Sequence, residues 1–278
     1  MSAKNDSVLR TLTVALLVCL VCGVVVATAA VMLRPVQEQN KLLDKQVNIL
    51  AAAGLYKPGM DVKAAFERID RKFVDLATGE YVDMPDSYDQ RKASKNPDSS
   101  VRLPGSDDIA SIKRQAKVAE VYLARDEQGG LSKIILPIHG YGLWSTLYGF
   151  LALEPDANTV AGLGFYEHAE TPGLGGEVDN PKWKAQWPGK EVFANGDVAI
   201  QVIKGVVDPG AAGAEHKIDG LAGATLTTAG VNNLVRFWVG ENGFGPYLEK
   251  FHASASASQS EAEQPQATSV QGEEVSNG

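Results

Sequence analysis

Cysteine is almost missing from this chain. Of 278 residues only Cys19 and Cys22 are cysteine, and both lie inside an uncharged apolar run. The rest of the sequence can form no disulfide, so the body must be held together by its core. A CxxC pair in a soluble cytosolic protein would suggest redox or metal chemistry. On a membrane helix the two residues read as small apolar fillers. Val18 and Val21 precede them, where a lipoprotein cleavage site would need a small residue. Histidine is scarce too: His139, His168, His216 and His252 are scattered without ligand spacing, which argues against a metal centre. No basic block stands out, acidic residues outnumber basic ones 34 to 26, and the net charge is −8. Nucleic acid is therefore not an expected partner. There is no GxxxxGK[ST], which excludes a phosphate-loop NTPase, and Gly173-Leu-Gly175-Gly176 has the wrong spacing for a dinucleotide fingerprint.

What is present begins with Thr11 to Leu33, a stretch of Leu, Val and Ala without a charged side chain. As a helix it is long enough to cross a hydrocarbon core of roughly 30 Å. Lys4, Arg10 and Ala27-Thr28-Ala29 imitate a cleaved signal peptide. The apolar run continues past that site through Val31, Met32 and Leu33, which favours a retained anchor. The flanking charges orient it weakly. A ten-residue head and a large polar body fit an arrangement with the N-terminus inside and the body outside.

Pro35 to Ala53 reads as a helix stopped by Gly54 and Pro58-Gly59. A second helical segment is expected over Ala64, Phe66, Ile69, Phe73 and Val74. Met84 to Asp108 reads as a long surface loop. The period then changes. Val118 to Ala124 and Leu131 to Ile138 flank Arg125-Asp-Glu-Gln-Gly-Gly130, a hairpin signal. Ser145 to Leu153 and Thr159 to Tyr166 form another strand pair, and Val198 to Lys204 a later strand. Leu226 to Val239 is helical, with Val231, Leu234, Val235 and Trp238 on one face and Asn232, Asn233 and Arg236 on the other. Gly240 and Gly243 end it. The body is thus α+β, an antiparallel sheet packed with helices. Ser254 to Gly278 should be disordered.

Three glycine-rich stretches join these elements: His139-Gly-Tyr141-Gly-Leu-Trp144-Ser-Thr146, Glu167-His168-Ala-Glu170-Thr171-Pro-Gly173-Leu174-Gly-Gly176-Glu177, and Asp219-Gly-Leu-Ala-Gly223-Ala224-Thr225-Leu-Thr-Thr-Ala-Gly230. Glycines let a backbone approach a flat ligand and expose its N–H groups. Tyr141 and Trp144 could stack on an aromatic ring. Thr225 opens the last helix, where unpaired N–H groups and the helix dipole favour a phosphate. The plainer reading of Thr225 is an N-cap threonine after a loop. His168 and Glu170 could form an acid–base pair, since residues two apart on a strand share a face. No nucleophile is placed to use such a pair.

In combination the chain resembles the C subunit of the sodium-translocating NADH:quinone reductase, a bacterial respiratory complex, from the membrane helix to about Phe251. The resemblance rests on His168-Ala-Glu-Thr-Pro-Gly-Leu-Gly-Gly176 followed by Asn180-Pro-Lys-Trp183, and on Asp219-Gly-Leu-Ala-Gly-Ala-Thr225-Leu-Thr227. It implies FMN joined covalently to Thr225 through a phosphoester, transferred from FAD by a flavin transferase. Asp219, Gly223, Ala224 and Thr225 match the family motif. Ala222 departs, because a hydroxyl residue is usual there. Thr227 and Thr228 fall outside the acceptor position. The Glu170-Thr171-Pro-Gly173-Leu174 loop is expected to contact the isoalloxazine, with a hydroxyl from Thr171 and apolar cover from Leu174. Trp144 is a stacking candidate, and Lys204 reads as a surface lysine.

The resemblance also implies an electron-transfer role toward ubiquinone, coupled to Na⁺ export. NADH, iron–sulfur and quinone sites would lie on the other subunits of the complex. The location would be the bacterial inner membrane, single-pass, with the flavin domain on the periplasmic side. The expected organisation is a short cytoplasmic head (1–10), a transmembrane helix (11–33), a helical connector and loop (34–100), an FMN-binding domain (101–251) and a tail (252–278). Two rivals remain at this point. One is the flavin subunit of an Rnf-type electron transport complex. The other is a membrane-anchored binding module without a covalent cofactor.

Overall fold

A side-chain period of two runs through the five strands of the main sheet: β1 (Ile69–Asp75), β2 (Val118–Arg125), β3 (Leu131–Tyr141), β4 (Thr146–Leu153) and β5 (Val160–Glu167). The structure is a computed structural model, and it describes residues 8–252. Most of the expected cytoplasmic head and nearly all of the expected tail lie outside the described residues. Each strand pairs antiparallel with its neighbour in this series, giving the order β1-β2-β3-β4-β5. Alternation then sorts the side chains between two faces. Val121, Leu123, Ile134, Leu136, Ile138 and Leu151 join one core cluster, while Tyr122, Ala124, Ile135, Phe150 and Ala152 join the other.

Helix α2 (Thr225–Val239) covers the first face. Its Val231, Leu234, Val235 and Trp238 are buried there, following the expected i, i+3, i+4, i+7 spacing. The Trp238 indole N–H also donates to the His139 carbonyl at 2.6 Å, fixing the helix to β3. The opposite face is covered by Ile49, Leu50, Ala52 and Ala53. Residues 245–252 add a further helix.

Helix α1 runs without interruption from Val8 to Ala52, through Pro35. Two pieces are expected from sequence, because an interior proline removes one backbone donor and crowds the carbonyl four residues back. Residues 8–43 are exposed apolar and polar surface, and α1 alone among the described helices is long and apolar enough to cross a membrane.

Other expectations change as well, and the loop read over Met84 to Asp108 contains a short helix, Gln90–Ala93, and a short strand, Ser100–Arg102, paired with Arg114–Ala116. The helical segment read over Ala64 to Val74 is a short helix, Val62–Phe66, capped by Asp61, followed by strand β1. Ile69 and Phe73 are four apart, and four residues return to the same side of a strand as well as a helix. The connector region therefore supplies an edge strand of the main sheet. The strand expected over Val198 to Lys204 is two fragments. Asp197–Val198 pairs with Phe193–Ala194, and Gln201–Val202 pairs in parallel with Lys217–Ile218. Asn232 and Arg236 of α2 hold this region, accepting from the Val202 N–H at 3.1 Å and donating to the Ile200 carbonyl at 3.1 Å respectively. Their side of the helix is thus a seam rather than a solvated face.

Candidate functional site

The three glycine-rich stretches meet at one carboxylate. Glu170 is only 5% exposed. Its Oε1 accepts from the backbone N–H groups of Leu143, Trp144 and Ser145 at 3.1, 3.0 and 3.3 Å. Its Oε2 accepts from the Thr227 hydroxyl, in the first turn of α2, at 2.7 Å. Burial pushes the Glu170 carboxyl up, but the hydrogen bonds from Thr227 and the three amides outweigh it and hold the group below the usual carboxylate range. The N–H groups of the first loop, expected from sequence to be open to a ligand, are thus partly taken: Glu170 holds three of them.

Glycine makes this convergence sterically possible. A Cβ at Gly175 would lie 2.5 Å from Thr227 Oγ1 and 2.7 Å from Glu170 Oε2. His168 secures the middle loop. Its Nδ1 accepts the Glu170 backbone N–H at 3.2 Å, which leaves the proton on Nε2 to donate to Asp179 at 2.8 Å. The expected His168–Glu170 acid–base pair is therefore corrected: the Glu170 carboxylate points elsewhere, and the imidazole meets only its amide.

Asp219 sits behind the third stretch. Its Oδ1 accepts from the Val207 N–H at 2.8 Å, and its carbonyl accepts from the Trp183 indole at 2.8 Å. It shapes the loop and binds these two protein groups. Gly223 follows at φ +72°, a left-handed conformation that favours glycine. A Cβ there would also lie 3.1 Å from Leu174, so the tips of the second and third stretches touch.

Thr225 is the first helical residue of α2, and the cap position belongs to Ala224. This corrects the plain reading of Thr225 as an N-cap. Among the described residues no side chain caps the helix and no acceptor meets its leading N–H groups, which lie at the positive end of its dipole. Three hydroxyls lie in this first turn. Thr227 is fully buried and bonded to Glu170, and Thr228 is buried and accepts from the Leu221 N–H at 2.9 Å. Thr225 is exposed. Nothing in the amino-acid order marks Thr227 for its role beyond a hydroxyl at the start of a helix.

Each of the three stretches also leaves apolar surface open: Trp144 is 65%, Leu174 44% and Leu226 61% exposed. Thr171 and Gly173 are exposed beside Leu174. Sequence reasoning missed Leu226, which lies next to Thr225 in the chain but is exposed, away from the helix's buried stripe. Lys204 is exposed, as expected of a surface lysine.

A family model described as an FMN-binding domain matches residues 142–240, which takes in most of the first stretch and all of the other two. The C subunit of the Na(+)-translocating NADH-quinone reductase of Pseudomonas aeruginosa is 59% identical over 253 residues, covering 88% of this chain and 97% of that protein. The chain belongs to that family. The corresponding protein of Haemophilus ducreyi is 50% identical, covering 91% of this chain and 98% of its own length. In three dimensions the chain is similar to the crystal structure of NqrC from Shewanella oneidensis, with a TM-score of 0.71 and 36% identity over 77% of this chain and 99% of that one. The family match favours the sodium-pump reading over the Rnf-type alternative, and the α+β fold with its antiparallel sheet agrees with the expectation from sequence.

Proposed function

We propose that this chain is a flavin-carrying electron-transfer subunit of a Na⁺-translocating NADH:ubiquinone reductase, with FMN joined to Thr225 by a phosphoester. The observation that carries the attachment site is the contrast among the three hydroxyls. Thr227 and Thr228 are buried and engaged, whereas Thr225 is exposed at an uncapped helix end. In maturation the Thr225 oxygen bonds to the FMN phosphorus, the pyrophosphate bond of FAD breaks, AMP leaves and the hydroxyl proton is released. Residues present fit the product. The unpaired N–H groups of α2 and its dipole stabilise the ester's negative charge. Trp144, Leu174 and Leu226 offer exposed apolar surface for a planar ring.

The FMN supplies the electron-transfer chemistry, and the protein holds and tunes it. A covalent tether keeps a relay cofactor in place between turnovers. Helix α1 anchors the chain in the bacterial inner membrane, with the flavin domain on the periplasmic side. The other subunits of the complex carry the NADH, iron–sulfur and quinone sites.

Co-expression with a flavin transferase, followed by denaturing electrophoresis, tests the assignment. The wild-type band fluoresces as flavin, and Thr225→Ala removes the signal. A fluorescent Thr225→Ala band overturns the site, and a colourless wild type favours a binding module without covalent cofactor. Protease treatment of spheroplasts, which degrades a periplasmic domain and spares a cytoplasmic one, tests the side of the membrane.

A further inference from the structure

Glu170 sits in an unusual electrostatic position. Four groups donate to its carboxylate, namely three backbone N–H groups and one hydroxyl. Three of the four are backbone N–H groups that can only donate, and a protonated carboxyl would give up acceptor capacity and have only the Thr227 oxygen to donate to. The arrangement therefore suits the ionised form. No lysine, arginine or histidine pairs with Glu170 among the described ion pairs. Its charge is met by dipoles alone, a concave nest of N–H groups closed by one hydroxyl.

That charge is also rigidly held. Residues 143–145 fix Oε1, Thr227 fixes Oε2, and Gly175 leaves no room for either to shift toward it. The groups it binds join the first glycine-rich stretch to the helix turn that carries Thr225. Thr227 lies two residues further along the same helix, Trp144 is one of the three amide donors, and Thr171 to Leu174 follow directly in the chain. A buried anion in such a place is only weakly screened by solvent.

We propose that Glu170 is a positioning residue whose fixed negative charge lowers the reduction potential of the flavin on Thr225. This rests on the Thr225 assignment above. Reduction adds electrons to the flavin, and a nearby anion without a cationic partner in a poorly screened site makes that addition less favourable. The loop motif by itself suggests a direct contact between Glu170 and the ring. In the fold both of its oxygens are committed to protein donors, and its action on the cofactor is electrostatic.

The test is a redox titration of the full chain carrying covalent flavin, as wild type, Glu170→Gln and Glu170→Asp. Glutamine keeps the shape and removes the charge; its oxygen can still accept the three amides, and its NH₂ can donate to Thr227. The midpoint potential of Glu170→Gln should shift positive. Aspartate keeps the charge but is one methylene too short to reach both sets of donors, so its potential should stay nearer the wild type. A purely structural role predicts the reverse, with aspartate perturbing more than glutamine. An unchanged potential in Glu170→Gln, or an equal positive shift in both variants, overturns the proposal. Thr227→Val gives a second reading should Glu170→Gln fail to fold. It removes a donor and leaves the anion, so a positive shift there also overturns the proposal. Failure of the Thr225 assignment is separately visible, because flavin would then remain on the Thr225→Ala chain in the gel.

Discussion

A Cβ placed on Gly230 would lie 2.5 Å from the carbonyl oxygen of Tyr141 and 2.8 Å from Cα of Gly142. The loop that carries Trp144 thus crosses α2 backbone to backbone, with no side chain between. Glycine to alanine inside a helix ordinarily gains about 0.5–1 kcal/mol. Here the added methyl meets backbone that cannot rotate away, and overpacking costs about 1–3 kcal/mol. Gly230→Ala should therefore lower the midpoint of urea unfolding. An unchanged or raised midpoint would mean that the loop moves aside freely.

Ala222 is exposed in the third glycine-rich stretch. Restoring a hydroxyl there disturbs no packing. Ala222→Ser should leave the unfolding free energy within about 0.5 kcal/mol of wild type while raising the initial rate of flavin labelling. Thr225→Ser should still label. Time courses of in-gel fluorescence measure both, and equal rates for Ala222→Ser and wild type would remove position 222 from recognition.

His139 sets an acid limit on stability. Its ring stacks on Tyr148 at 5.4 Å and packs at 4.9 Å from Trp238. Burial, with the nearby Arg91 guanidinium, pushes its pKa down from 6.5 to about 4. Between those values the unfolded chain binds the extra proton and the folded chain does not. Stability therefore falls as the pH drops from about 6.5 to about 4 and loses no more through this group below that. The loss is on the order of 3 kcal/mol at most. His139→Phe keeps a stacking ring and leaves the Trp238 bond to the backbone carbonyl intact. Its unfolding free energy should fall less steeply across this window, and a slope equal to wild type would assign the acid sensitivity elsewhere.

The membrane reading of α1 has its own check. An arginine at the centre of a spanning helix costs about 2.5–3.5 kcal/mol of insertion. Val21→Arg should reduce the fraction of chain that resists alkaline extraction from membranes, and Val21→Leu should leave it unchanged. Complete extraction of the wild type would argue against a spanning helix.

The four strands β2 to β5 can be read from sequence because each is a short, mostly apolar run bounded by turn residues, and the 126–130 turn is rich in polar residues and glycine. Strand β1 cannot, since Ile69 and Phe73 satisfy both periods. The glycine-rich stretches are visible one by one. Their meeting point is not, because Glu170 binds amides 25 to 27 residues away and a backbone N–H has no residue identity to read. The helix start is misplaced for a related reason. A rule that looks for a hydroxyl or carboxylate cap passes over Ala224, whose side chain offers no acceptor.

The succession β1-β2-β3-β4-β5 has a consequence for how the molecule forms. From β2 onward each strand closes on the one beside it in sequence, so the sheet can grow by short hairpin steps with little loss of chain entropy. The link from Thr227 to Glu170 spans 57 residues and needs α2 in place. The scaffold can therefore assemble from local closures, while the end that bears Thr225 waits on a distant one.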